Sequence, residues 1–581
     1  MMATNGKAMS EQRSANLARM RDAGTFDAIV VGGGINGIGV FRELALQGLS
    51  VLLVERDDFC SGCSAAPSRM IHGGLRYLEN GEFGLVRESL RERDALLVNA
   101  PHMVRPLPTT IPIKSIFSGT MNAAIGFLGG KSRPAERGVF PVKLGLLLYD
   151  WVTRHRRLTP RHLLRNAAET ARQWPHLTRD LRYSATYYDA WISHPERLGV
   201  ELILDAQREA PAAVALNHAE IDRDSDTFTV RDRLTDERFT VSTRLIINAT
   251  GAWLDETNRR LAGPALPDEP FVSGTKGSHL IIDNPALYDA LNGHMIFFEN
   301  SDGRICIVFP YLGKVLAGST DIRIAAVTRV RCEVEERDYI LESLRLVFPD
   351  IHVTIAEVVF SFSGIRPLPR SDHDFTGRIS RGHSIERLDG TPPQLCMVGG
   401  KWTTFRAFAE ETANVALKEL GRRRLADTLS LPIGGGADFP ADPAAFAAEI
   451  AAGYGISPDQ AAHLVTTYGT RAGAVAEFCG SYPDDAALDA RTVVSTGEIA
   501  FLIRQEFAAS LGDLVLRRTT LAIQGLVTTT SIRRIAAIAA AELGWGENRR
   551  DREISDLVAE LEAYYGVSPA MLDDRSRQGR T

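Results

Sequence analysis

The chain has 581 residues, 44% of them hydrophobic and 24% charged, with a formal net charge of −6 at pH 7. That length corresponds to roughly three to four domain-equivalents. The mild acidity excludes nucleic acid as an expected partner, and no run of eighteen apolar residues exists that would cross a bilayer.

Residues 1–24 are polar and mixed in charge, without the apolar segment of a signal peptide, and read as a disordered arm. The stretch Phe26–Glu55 is the most informative in the chain. A β-branched run, Ile29-Val30-Val31, leads into Gly32-x-Gly34-x-x-Gly37. Ile35, Ile38, Phe41, Leu44 and Ala45 follow at helical spacing, and Val51–Val54 reads as a second strand ending at Glu55. A strand, tight turn, helix and parallel strand within about thirty residues form a dinucleotide-binding βαβ unit. Gly32 permits the turn, Gly34 lets a pyrophosphate approach the backbone, and Gly37 lets the helix lie close on the sheet. Glu55 falls where a carboxylate accepts hydrogen bonds from a ribose diol.

Residues 57–78 begin with small and hydroxyl-bearing residues, including Ser64 and Ser68, suited to donating to phosphate or ring. Cys60 and Cys63 form a C-x-x-C. The six cysteines are sparse, which suits a reducing compartment. No second pair or matched histidines support a metal site, leaving a redox dithiol or small buried thiols. His72-Gly73-Gly74 followed by Arg76 and Tyr77 then brings together a titratable base, a fixed cation and a phenol.

These motifs, with Glu82–Glu88 and Ala100-Pro101-His102, resemble the FAD-dependent, quinone-linked glycerol-3-phosphate dehydrogenase family. The resemblance implies an α/β fold: an FAD-binding Rossmann-like domain of the amine-oxidase-like flavoprotein type, an antiparallel-sheet substrate domain and a C-terminal all-helical domain. It implies FAD as the dinucleotide, with Glu55 on its adenosine ribose.

Residues 106–165 combine apolar anchors with a basic flank. From Lys131 to Arg165 there are nine Lys/Arg and two acids. An interfacial membrane segment needs that combination, and a core helix with a solvated basic face also has it. The family's peripheral attachment and use of ubiquinone favour the former. Ile192–Glu196 departs from the family, which carries paired aspartates there, and puts the exact polyol in doubt. Pro67 and Ala65 stand where the family favours serines.

The Val214 strand resembles the one touching the adenine side. Phe228–Val230 and Phe239–Val241 alternate around a charged turn as a hairpin. Leu245–Asn248 ends in Ala-Thr-Gly251, a second backbone contact with FAD phosphates in such flavoproteins. Short strands from about 268 to 360 read as an antiparallel sheet roofing the flavin. Arg366 lies between a glycine-bearing turn and a proline, and its guanidinium suits oxygen-rich anions. Gly399-Gly400-Lys401-Trp402-Thr403 is a third glycine turn, with Gly400, Lys401 and Thr403 expected at the cofactor. A cation there stabilises an anionic reduced ring. Leu431–Gly436 reads as a linker.

The expected division is residues 25–110 with 200–265 and 350–428 for FAD; 111–199 with 266–349 for substrate, including the membrane-surface segment; and 437–581 as helices. The expected reaction oxidises glycerol 3-phosphate to dihydroxyacetone phosphate, with His72 as base and Arg366 holding the reacting oxygen. Arg76, Lys401 and Tyr77 bind the phosphate. Arg366 and Lys401 are interchangeable in this scheme, and His279 is the less favoured base. Electrons leave for a quinone, or for oxygen. A related polyol phosphate such as erythritol phosphate, or a non-catalytic flavin sensor, are the alternatives. The expected location is cytoplasmic, at the inner face of the cell membrane, with a homodimer allowed.

Overall fold

The computed structural model describes residues 10–74, 82–114, 146, 158–225, 227–262, 269–371 and 381–578. Arg76, Tyr77 and nearly all of the basic 115–157 stretch lie outside them.

A six-stranded sheet carries the glycine turn. Its order is His383–Leu388, Gln394–Gly399, Ile246–Asn248, Ala28–Val31, Val51–Val54, Val214–Leu216. The last five are mutually parallel, and His383–Leu388 is antiparallel at the edge. Ile29, Val30, Leu52 and Leu53 are fully buried, as continuous apolar runs in a parallel sheet covered on both faces require. The helix Ile35–Leu46 packs against Pro195–Glu209 and Phe405–Glu419. The contact with the second is close: a Cβ on Gly39 would lie 3.0 Å from both Phe405 and Ala409.

Ten strands form the second sheet. Within it Val272–Ile282 is antiparallel to both Lys314–Gly318 and Val358–Pro369. Val104–Ile113 pairs with Tyr183–Ile192, which also pairs with Met70–Ile71. Val104–Ile113 therefore runs across the expected boundary at residue 110. The expected hairpin is present, with Phe228 opposite Val241 and Val230 opposite Phe239.

The C-terminal helices, from Pro443–Tyr454 to Pro569–Gln578, share one apolar core with the ten-stranded sheet. Ile499, Ile535 and Leu561 pack in the same cluster as Ile281, Phe309 and Phe360. One expectation is corrected. Residues 11–23 are not a disordered arm but a helix, Glu11–Ala23, capped by Ser10. Arg13 is fully buried and grips Asp232 through both Nη atoms, at 3.0 and 2.8 Å. Asn16 donates to the carbonyl of Ala215 at 2.8 Å. The expected linker Leu431–Gly436 is, beyond that expectation, tightly packed at Gly434–Gly436. A Cβ on Gly435 would lie 1.8 Å from the Tyr468 carbonyl, and one on Gly436 2.1 Å from that of Asn99. Among the described residues no helix is long and apolar enough to cross a membrane.

Candidate functional site

The first glycine turn has the geometry its sequence demands. Gly32 has φ +106°, and a Cβ there would meet the Ala249 carbonyl at 2.8 Å. A Cβ on Gly37 would fall 1.9 Å from the Gly32 carbonyl oxygen, so only glycine lets the helix start here. A Cβ on Gly34 would meet only Ser64 Oγ, at 3.2 Å. Gly34 is the N-cap and offers no side chain to the helix's first amides. Ser64 Oγ accepts from Ile35 N at 2.9 Å. This is an open, amide-bearing helix start suited to an anion.

Glu55 closes the second strand. One carboxylate oxygen accepts from Gly33 N at 2.7 Å and the other from Asp57 N at 2.8 Å. Burial pushes its carboxyl up, and these amides pull it back down. Each oxygen keeps a second acceptor position for a ribose hydroxyl.

A cavity of about 1070 Å³ runs from this turn to the ten-stranded sheet. Gly32, Gly34, Glu55, Ser64 and Ser68 line it, as do Gly251, Gly400 and Thr403. Gly251 and Gly400 have φ of +60° and +92°, and a Cβ on Gly400 would strike Asn36 at 2.6 Å. Gly37 and Val214 are not on the cavity wall. Gly37 sits under the turn, and Val214 is buried beside the Val51–Val54 strand. The open glycine turn, free acceptor positions on Glu55 and the cavity volume together fit FAD.

The same cavity brings His72, Arg366 and Lys401 together from distant stretches. His72 N donates to Thr403 Oγ1 at 3.2 Å, and Gly73 N to Asp189 Oδ1 at 2.9 Å. Burial, then the cations of Lys401 and Arg381, lower the His72 imidazole to about 4 against an opposing pull from Asp189. Lys401 Nζ donates to Ser89 Oγ at 2.9 Å, and burial lowers it to about 8 despite Glu88 and Glu82. Arg366 donates to Asp321 Oδ1 at 3.0 Å and to the Thr320 carbonyl at 3.3 Å. Gly277 makes room for it, since a Cβ there would lie 2.1 Å from its guanidinium. Arg381 faces the other Asp321 oxygen at 3.5 Å.

His279 stacks on Phe362 at 5.0 Å and pairs with Ser68 Oγ at 2.8 Å. Burial, aided by Arg366 and Arg69, lowers it to about 3. Cys60 and Cys63 are free thiols, both pushed up by burial. Ile192–Glu196 does not line the cavity. Its Ser193 carbonyl accepts from Tyr311, and Glu196 takes Arg69 at 2.8 Å through both oxygens.

Sequence reasoning missed Arg381, Asp189, Ser89 and Asp321 as parts of the site. Only Asp321, in an Ser-Thr-Asp turn, carried a local signal.

Two family profiles match the chain: "FAD dependent oxidoreductase" over residues 27–414 and "C-terminal domain of alpha-glycerophosphate oxidase" over 426–550. A glycerol-3-phosphate dehydrogenase of Synechocystis sp. is 33% identical over 91% of this chain and 95% of its own length. A probable mitochondrial one of Dictyostelium discoideum is 28% identical over 91% and 83%. The fold is shared with a glycerol-3-phosphate dehydrogenase from Bacillus halodurans solved with FAD. That structure has a TM-score of 0.74 and 24% identity, covering 96% of this chain and 98% of its own.

Proposed function

The chain belongs to the FAD-dependent glycerol-3-phosphate dehydrogenase family, and from that membership we propose that it oxidises glycerol 3-phosphate to dihydroxyacetone phosphate and delivers the electrons to a quinone. The observation that supports this reading best is the cavity in which a dinucleotide-binding turn meets His72, Arg366 and Lys401.

FAD, when bound, supplies the two-electron acceptor for the hydride that leaves the substrate carbon. The chain's own residues handle the rest. His72, neutral above pH about 4, accepts the hydroxyl proton. Lys401 and Arg381 disfavour the resulting imidazolium. Arg366, held by Asp321 and seated on Gly277, faces the oxygen as alkoxide character develops. Lys401, charged below pH about 8, meets the phosphate with Arg76 and Tyr77. The cofactor contacts we assign are Gly32, Gly34, Glu55, Ser64, Ser68, Gly251, Gly400 and Thr403, with Gly37 and Val214 supporting them from beneath.

The departure at Ile192–Glu196 is not among the residues that line the cavity. It gives no support to a larger polyol phosphate, and glycerol 3-phosphate is the substrate we assign. Anaerobic mixing of the purified flavoprotein with glycerol 3-phosphate should bleach the flavin, and a quinone should restore its colour faster than oxygen does. Bleaching by erythritol phosphate but not by glycerol 3-phosphate would overturn the substrate. Faster reoxidation by oxygen would overturn the acceptor.

A further inference from the structure

On the Glu55 side, the cavity wall comes from the far end of the chain. Gly512, Asp513 and Arg517 line it beside Asp58 and His218, and Glu560 lines it beside Arg329. Two ionic bridges hold these pieces in place. In the first, Arg517 Nε lies 2.6 Å from Asp58 Oδ2, and its Nη2 lies 2.7 Å from Asp513 Oδ1. Arg518 grips both Asp58 oxygens at 2.8 Å, and Asp513 Oδ2 reaches His218 Nε2 at 2.9 Å. Asp58 is three residues beyond Glu55, and His218 N donates to the Asp57 carbonyl at 2.7 Å. This bridge is therefore built on the loop that follows the expected ribose carboxylate. In the second, Arg329, between the sheet and the helix Val334–Val347, pairs with Glu560 and lies 3.9 Å over the Tyr564 ring. Glu560 and Tyr564 belong to the helix Glu547–Tyr565.

We propose that the C-terminal helical domain is a latch on the cofactor: its two bridges, Asp58–Arg517 and Arg329–Glu560, hold shut the wall beside the adenosine end and set how fast FAD leaves. The assignment rests on Glu55 marking the adenosine ribose. A ligand leaves a walled cavity only when part of the wall parts, and the contacts broken in that opening govern the release rate. Neither bridge includes His72, Arg366 or Lys401, so this is a function in retention and not in the oxidation.

The test uses the full-length holoprotein and follows free-flavin fluorescence after dilution, without substrate. Arg329→Ala should release FAD about threefold faster, since it removes a partly exposed pair. Arg517→Met should release it about tenfold faster. The charge exchange Arg329→Glu with Glu560→Arg should restore slow release, which a loss of general stability would not do. Wild-type release in Arg329→Ala, or release in the exchanged pair as fast as in the single variant, would overturn the latch. Should Arg517→Met fail to fold, the Arg329 series decides alone. A protein with slow FAD release whose flavin no polyol phosphate bleaches would sink the proposed oxidation and leave the latch standing.

Discussion

His72 and Lys401 owe their chemistry to burial in each other's company. Burial and the neighbouring cations keep His72 uncharged above pH about 4, and burial brings the Lys401 ammonium down to about 8. Replacing His72 by Ala should lower turnover by about 100-fold or more with FAD content retained, as read from flavin absorbance against protein. Equal turnover would remove it from the mechanism. A lysine holds an anion only while protonated, so the phosphate contact proposed for Lys401 should be complete well below pH 8 and fade as pH rises through about 8. The KM for substrate should climb over that range, and Lys401→Arg should abolish the climb; an unchanged climb in that variant would assign it to another group. His72 and Lys401 stand out in the sequence because each adjoins a glycine pair, and Arg366 because a glycine turn and a proline frame it; all three line the cavity. Arg381 was not legible, because nothing local marks it. It lines the cavity and pairs with Asp321, sixty residues earlier in the chain.

At the scale of elements, the glycine-turn strands and helix were legible from period and punctuation alone, because both faces of their sheet are buried. The helix Glu11–Ala23 was not, because its sequence is polar and what orders it lies some 200 residues away. Arg13 and Asp232 are each fully buried at the side chain. Removing one partner strands the other's charge away from water. Arg13→Ala should therefore cost about 3 kcal/mol, seen as a lower urea midpoint. A midpoint equal to that of the parent would mean that the helix contributes nothing to the fold.

Across the whole molecule, the three-part architecture was legible from the family resemblance, with glycine turns and then short strands marking its first two parts. The joints between the parts were not. Strand Val104–Ile113 crosses one expected boundary, and Val358–Pro369, within a segment expected for FAD, pairs instead with Val272–Ile282 of the second sheet. Sheet pairing of this kind is long-range and leaves no mark in either strand alone. The expected linker at Gly434–Gly436 is wedged between Asn99 and Tyr468 because three residues without side chains let backbones cross there.

The wall contributed by residues 512–560 also has a place in time. A ribosome builds from the amino end, so this panel of the nucleotide's berth is the last to be written.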